Sequence, residues 1–348
     1  MTSPAQIYAT IGPASLSDTG IDSLVAAGVS GFRLNLSHLT LEQCEHAIGV
    51  LASRTELPVI LDTEGPQIRC GAVANGGVVL RGKQSVTLRD GHGAGDESRL
   101  ALIPHGVTAR LVVGDLLKVD FDLATLEITE THADWARAAV VQPGRIGSNK
   151  GVTLARELSL PILTEKDRNA VALARDLGVR WFALSFVRSA ADVAVARELL
   201  PAGATVIAKI ENRPALAALP EILAAADAVL IDRGDLSKEH GALALPFLQR
   251  HVIRHAVRMG VPAFVSTDVL GTMAARRYPS VAELNDFVAT LVMGASGVFF
   301  AAETAIGVDP ALVVSVARRL IRLHERWRDG GEVDELVAAF CDEARDGG

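Results

Sequence analysis

Short apolar runs alternate with longer amphipathic stretches along most of the 348-residue chain. Eight runs have the length and composition of strands: 6–11, 31–36, 57–63, 179–187, 205–211, 228–232, 261–267 and 297–303. V-L-I at 229–231 and G-V-F-F-A-A at 297–302 are apolar almost throughout, as strands of a parallel sheet covered on both faces should be. Helix-start signals lie between the runs. Ser17-Asp18 and Thr164-Glu165 supply capping side chains, and Asn212-Arg213-Pro214 places a proline in a first helical turn. Repeated strand–helix units predict the α/β class, and eight of them predict a (β/α)8 TIM barrel. Such a barrel needs about 250 residues, which leaves room for one insertion.

The alternation breaks once. From 71 to 153 the chain offers only short β-type segments, including S-V-T-L (85–88), L-L-K-V-D-F (116–121) and L-E-I-T (126–129), separated by Gly, Asp and His. This predicts an inserted small β-barrel domain between the third and fourth barrel strands. The barrel would comprise 1–70 plus 154–328, and 329–348 would form a linker and short acidic tail. G-H-G-A-G (91–95) lacks the following helix and the Lys-Ser/Thr pair of a phosphate-cradling loop, so it is read as a hairpin turn.

Composition narrows the function. Hydrophobic residues make up 49% and charged residues 22%, ordinary values for a globular protein. The net charge of -7 argues against nucleic acid and against an anionic membrane surface. Three cysteines, Cys44, Cys70 and Cys341, form no C-x-x-C unit and fit a reducing compartment. With no signal-peptide pattern at the start and no apolar run near 20 residues, the expected location is cytoplasmic.

The chemistry is expected at the C-terminal ends of the barrel strands. Arg33, Asn35 and Ser37 share one face at the end of the second run, by period-two alternation. Asp62-Thr63 ends the third, Lys209 and Glu211 the fifth, Asp232-Arg233-Gly234-Asp235 the sixth, Thr267-Asp268 the seventh and Glu303-Thr304 the eighth. Any one of these fits a helix cap or a salt bridge. Together they describe clustered buried charge, which is costly unless paired or metal-bound. Carboxylates beside a lysine and an arginine point to a divalent cation acting on an anionic substrate, and oxygen-only ligands suit Mg²⁺ or Mn²⁺. Histidine adds nothing: His251 and His255 lack a zinc protease's glutamate, and His46 and His132 read as surface residues. G-x-S-x-G does not occur.

Several segments resemble the signatures of the pyruvate kinase family, in its order and spacing: I-G-P-A-S (11–15), R-L-N-L-S-H (33–38), L-D-T-E-G-P-Q-I-R (61–69), S-N-K-G-V (148–152), L-T-E-K-D (163–167), A-L-S-F-V-R (183–188), K-I-E-N (209–212), R-G-D-L (233–236) and E-T-A-I-G (303–307). The resemblance covers residues 6 to about 325 and implies a chain that stops before the family's C-terminal domain, without effector control and as a homodimer. It also implies roles. Glu211 and Asp235 would hold Mg²⁺, Lys209 would neutralise the transferring phosphoryl group, and Arg33 would pair with the phosphate. Asn35, Ser37, Asp62 and Thr63 would form a K⁺ site. The backbone N–H groups of Gly234 and Asp235, with Thr267, would hold the substrate carboxylate, and a water near Thr267 would protonate the enolate. His38, Arg69 and Lys150 would bind the ADP or ATP under a lid formed by the inserted domain.

Departures accompany the likeness. The family's D-T-K-G-P-E reads D-T-Glu64-G-P-Gln67 here, its E-T-A-K ends in Ile306, and its A-R-G-D begins with Asp232. T-Q-M-L-E-S-M is matched by 267–273 with Asp268 and Gly271, and S-G-E-T by Ala301-Ala302-E-T. The changes make the barrel mouth more acidic. Three readings follow: an Mg²⁺-dependent phosphotransferase between phosphoenolpyruvate and ADP; a metal-dependent 2-oxo acid enzyme that has dropped the nucleotide, with Asp232 or Asp268 as an added acid or base; and a binding protein without turnover.

Overall fold

In a computed structural model, residues 4–328 are described, except 92, 121, 122, 155, 157 and 159. The expected tail at 329–348 lies outside the described residues. The chain forms two compact units. One comprises the residues up to Glu64 and from Glu165 onward; the other is Gly65–Thr164. The inserted unit thus begins earlier and ends later than the 71–153 expected from composition.

The first unit is a closed parallel barrel of β1 (Gln6–Thr10), β2 (Gly31–Asn35), β3 (Val59–Asp62), β4 (Trp181–Leu184), β5 (Thr205–Ile210), β6 (Ala228–Asp232), β7 (Ala263–Ser266) and β8 (Gly297–Phe300). Each strand pairs with its neighbour in sequence, and β8 closes on β1 through Gln6–Gly297 and Tyr8–Phe299. All eight predicted runs are strands. Helices follow the strands, several with the predicted caps. Ser17 Oγ accepts from Gly20 N at 3.0 Å, and Asn212 Oδ1 accepts from Ala215 N at 2.8 Å.

Inside the barrel, Tyr8, Ile60, Ala183, Ile207, Leu230, Phe264 and Phe299 form one apolar cluster. Tyr8 anchors it, with ring centroids 4.5 Å from Phe299 and 5.5 Å from Phe264. Strand alternation sends every second residue to the same face. One step beyond this floor, toward the C-terminal strand ends, the inward positions are Thr10, Asp62, Ser185, Lys209, Asp232, Ser266 and Ala301, polar at all but the last. The apolar floor and the charged layer are consecutive layers of one barrel interior.

The inserted unit holds a seven-stranded mixed sheet and a separate two-stranded ribbon. Its core includes Val86, Leu88, Leu117, Leu126, Ile128, Ala136, Ala138 and Val140. Burial alternates along Ser85–Asp90 and Trp135–Gln142, so one face of the sheet is apolar. The two outer strands of the sheet, Arg69–Cys70 and Val152–Leu154, approach at a single bridge between Arg69 and Gly151. Hydrogen bonds from Val152 N to Ile68 O and from Cys70 N to Lys150 O, both 2.8 Å, flank that bridge. In place of the small barrel expected from the sequence, the unit holds a mixed sheet whose outer strands meet at this one bridge among the described residues.

G-H-G-A-G does not form a hairpin turn. Ser85–Asp90 and Arg99–Ile103 on either side of it pair parallel, with Thr87 opposite Arg99 and Asp90 opposite Leu102. The intervening chain must therefore run back along the sheet, and Gly95 bonds to Ala72 and Ala74 on the way.

Candidate active site

The site is built on Lys209, which is 4% exposed at the end of β5. Its ammonium lies 2.8 Å from Glu211 Oε1, 3.4 Å from Asp62 Oδ1 and 3.4 Å from Asp232 Oδ2. It also donates to Ser185 Oγ at 3.0 Å. Burial works against the charge on Lys209, but Asp62, Glu211 and Asp232 together hold its pKa above the ordinary lysine value. Asp62 is fully buried and shared between cations. Arg33 donates Nε to Asp62 Oδ2 at 2.7 Å, and a second Arg33 nitrogen pairs with the same carboxylate. Arg33 Nη1 reaches Thr10 Oγ1 at 3.3 Å.

Three carboxylates converge. Glu211, Asp232 and Asp235 each offer an oxygen within 4.8 Å of the others. Glu211 Oε2 accepts the Phe186 N–H at 2.6 Å. Its Oε1 is buried and has no hydrogen-bond donor among the described residues, although the ammonium of Lys209 is close. The contact is a close ion pair, and the same carboxylate oxygen keeps a second lone pair for a cation. Around this centre four carboxyl groups, Asp62, Glu211, Asp232 and Asp235, meet three cationic side chains, Arg33, Lys209 and Lys238, the last 2.9 Å from Asp235 Oδ1. The donor set is all oxygen and the carboxyl groups outnumber the cationic side chains, so these residues fit a divalent magnesium-type ion.

Proton affinities respond to the same imbalance. Burial, with Asp232 and Asp235 nearby, outweighs Lys209 and pushes the Glu211 carboxyl up to about 8. Asp232 resists burial because Lys209, Arg33 and the Thr267 hydroxyl hold it down at about 2. A carboxyl raised in the folded state binds more protons folded than unfolded. Its stabilising contribution is therefore complete below the ordinary glutamate value of 4.5 and is lost as pH rises through about 8. Metal-free wild type should lose stability relative to Glu211→Gln over pH 5 to 8, by at most about 1.4 kcal/mol per pH unit. Chemical denaturation of both proteins across that range checks this. Parallel curves would show that Glu211 does not titrate there.

The backbone around the site is held in unusual conformations. Phe186, Thr267, Asp268 and Leu270 all have positive φ (55, 71, 55 and 56°). For a β-branched threonine this is a real steric outlier, costing on the order of 1–3 kcal/mol unless its surroundings enforce it. Arg233 helps to enforce it: Nε donates to Thr267 O at 2.8 Å, and Nη1 pairs with Asp286 at 2.6 Å. The strain at Phe186 presents its N–H to Glu211.

Most of the sequence-predicted residues gather here, with some changes of partner. Lys209, Glu211, Arg33, Asp62, Asp232, Asp235 and Thr267 converge through the contacts above and the Thr267 bond described next. The Gly234 N–H and the Thr267 hydroxyl, expected to face a substrate carboxylate, both donate to Asp232 Oδ1, at 3.2 and 2.8 Å. Asp232 caps the helix Arg233–His240 in this way. Asn35 lies opposite Asp62 in the β2–β3 register and accepts the Ser37 N–H at 3.0 Å. Thr63 Oγ1 accepts from Ser185 N at 3.0 Å. His38 is exposed just beyond β2. In the inserted unit, the bridge to Gly151 puts Arg69 beside the Asn149–Lys150 turn. Arg69 Nη1 donates to Asn149 O at 3.3 Å, and Lys150 lies 3.4 Å from Asp120 Oδ2.

Two features escaped the sequence reading. Ser185 joins the charged layer: its hydroxyl donates to Thr63 O at 2.7 Å, accepts from Lys209 and lies 3.3 Å from Asp62. Its signal was its place two residues past the apolar Ala183 on a barrel strand. Glu64, counted as added negative charge at the mouth, is compensated locally by Lys166 at 2.8 Å.

The family model for the barrel domain of pyruvate kinase matches residues 2–314. A pyruvate kinase of Methylorubrum extorquens is 32% identical over 92% of this chain and 68% of its own length. One from Agrobacterium vitis is 34% identical over 93% and 70%, and one from Mycobacterium tuberculosis 32% over 92% and 70%. The chain therefore belongs to the pyruvate kinase family and is a pyruvate kinase-like transferase.

Proposed function

We propose that the protein carries out Mg²⁺-dependent phosphoryl transfer between phosphoenolpyruvate and ADP. The observation that carries this reading is the buried Lys209 ammonium, held among three carboxylates at the strand ends and next to Arg33. Phosphoryl transfer needs positioning and charge neutralisation more than covalent assistance. Glu211 and Asp235 would hold the Mg²⁺, which when bound supplies electrostatic stabilisation of the phosphoryl oxygens. Lys209 neutralises charge on the group in transit, and Arg33 orients it. The enol phosphate's P–O bond breaks as the terminal ADP oxygen bonds to phosphorus. The enolate left behind takes a proton at carbon by way of a water near Thr267. Arg69, Lys150 and His38 are assigned to the nucleotide phosphates, and Asn35, Ser37, Asp62 and Thr63 to K⁺.

A second reading keeps the metal chemistry on a 2-oxo acid and drops the nucleotide. It is favoured by Ile306, an apolar side chain 67% exposed where the family's E-T-A-K places a lysine. Pyruvate release coupled to NADH oxidation separates the two. Phosphotransfer predicts turnover that requires phosphoenolpyruvate, ADP and Mg²⁺ together and rises with K⁺. Pyruvate formation no faster with ADP than without it would remove this reading in favour of the second.

A further inference from the structure

We propose that Asp232 is a specificity-determining residue: its carboxylate occupies the donors that a small-acid ligand's carboxylate would use, and so weakens the binding of such ligands. The inference rests on the metal-centred reading of this site and adds to it a substrate-selecting group.

The argument starts from donors and acceptors. Gly234 N–H and Thr267 Oγ1 point at one oxygen, Asp232 Oδ1, at 3.2 and 2.8 Å. Two converging donors at a helix start form a cradle for one carboxylate oxygen, and here the chain's own side chain fills it. The arrangement is rigid on both sides. Thr267 is locked at φ 71° with its carbonyl held by Arg233, and Asp232 is 6% exposed. A methyl group built on Gly234 would meet Asp232 Oδ1 at 3.3 Å and Thr267 Cγ2 at 3.1 Å, so Asp232 and Thr267 pack closely about this glycine.

Neighbouring polar atoms are not spent in the same way. Ser266 lies opposite Asp232 in the β6–β7 register, and its fully buried hydroxyl has no hydrogen-bond partner among the described residues. Glu211 Oε1 has the Lys209 ammonium 2.8 Å away and no other donor among the described residues. The layer therefore keeps open positions for a ligand, but two of the three donors expected to face a carboxylate, the Gly234 N–H and the Thr267 hydroxyl, are taken. An incoming carboxylate must displace Asp232 or lie against it, and like charges at such separations in a buried setting repel strongly. Ligands that present a hydroxyl or another neutral donor toward Asp232 do not meet this conflict.

The test uses the full chain and oxalate as a small dicarboxylate probe, titrated calorimetrically with and without saturating Mn²⁺. Wild type is compared with Asp232→Asn and Asp232→Ala. Asp232→Ala should tighten oxalate at least about tenfold, the scale of one relieved like-charge contact. Asp232→Asn keeps the cap but not the charge and should show a smaller gain in the same direction. In steady state, KM for phosphoenolpyruvate should fall by a similar factor while kcat does not rise in proportion. If Asp232→Ala does not fold, as judged by thermal melting, the near-isosteric Asn variant decides the matter. Unchanged oxalate affinity in the folded variants would overturn the proposal. So would oxalate affinity that falls in step with Mn²⁺ affinity, because Asp232 would then be a ligand to the cation. Mn²⁺ titration of wild type without oxalate is read separately. Its failure would count against the metal-centred function, while the metal-free oxalate comparison would still judge Asp232.

Discussion

Replacing Lys209 by Met should lower turnover by about 10²–10³-fold, the scale seen when one pre-positioned charge is removed from a reacting centre. Lys209 is the ammonium on which Asp62, Glu211 and Asp232 converge within 3.4 Å. Methionine preserves the length and apolar stem, so lost packing contributes little. What disappears is the charge, and three buried carboxylates are left competing for Arg33 alone. Breaking a buried ion pair from one side typically costs about 3–5 kcal/mol. Part of this is recovered by protonation of Glu211, whose carboxyl is already raised to about 8. The destabilisation should therefore be smaller at pH 6 than at pH 9. Thermal melts at the two pH values, with the coupled pyruvate assay, check both halves. Lys209→Arg, which keeps the charge, should retain more stability than activity. A Met variant with wild-type turnover would remove Lys209 from the chemistry.

Asp62→Ala should be nearly as damaging to folding, without depending on any view of the reaction. Asp62 is fully buried and serves two cations, with Arg33 Nε at 2.7 Å and Lys209 at 3.4 Å. Its removal leaves a guanidinium facing an ammonium with less counter-charge, and about 3–5 kcal/mol is again the expected scale. A double-mutant cycle isolates the pair. Adding Arg33→Met to Asp62→Ala should cost less than the sum of the single changes, with a coupling of about 1–3 kcal/mol. Urea denaturation of the four proteins measures it. Strict additivity would mean that the Arg33–Asp62 contact is not an energetic unit.

The sequence carried the barrel clearly because its signal is local. Each strand is a short apolar run, and period-two alternation says which side chains share a face. That was enough to set Lys209 with Glu211 and Arg33 with Asn35. It could not say which partners those faces would meet. The Asp62–Arg33 contact spans 29 positions, Asp232–Thr267 35 and Ser185–Asp62 123, and such pairings come from barrel closure rather than from any window of sequence. For that reason Ser185 looked like an unremarkable serine. Gly234 and Thr267 looked available to a ligand because, although Asp232 could be read as a cap onto Gly234, nothing local reveals that Thr267 joins it. The hairpin reading of G-H-G-A-G failed for a related reason. Glycines announce a change of direction but do not determine whether the next strand returns antiparallel or crosses over to run alongside.

The bridge at Arg69 and Gly151 gives the inserted unit a zippered neck. Its outgoing and returning strands are stitched together before the sheet opens out, so the long excursion begins and ends at neighbouring points. To the host fold, such an excursion is equivalent to a short loop. Ring-closure entropy grows only slowly with the length of chain beyond a closed neck. A cassette with this topology can be lengthened, shortened or exchanged over evolutionary time without re-threading the strands that carry the chemistry.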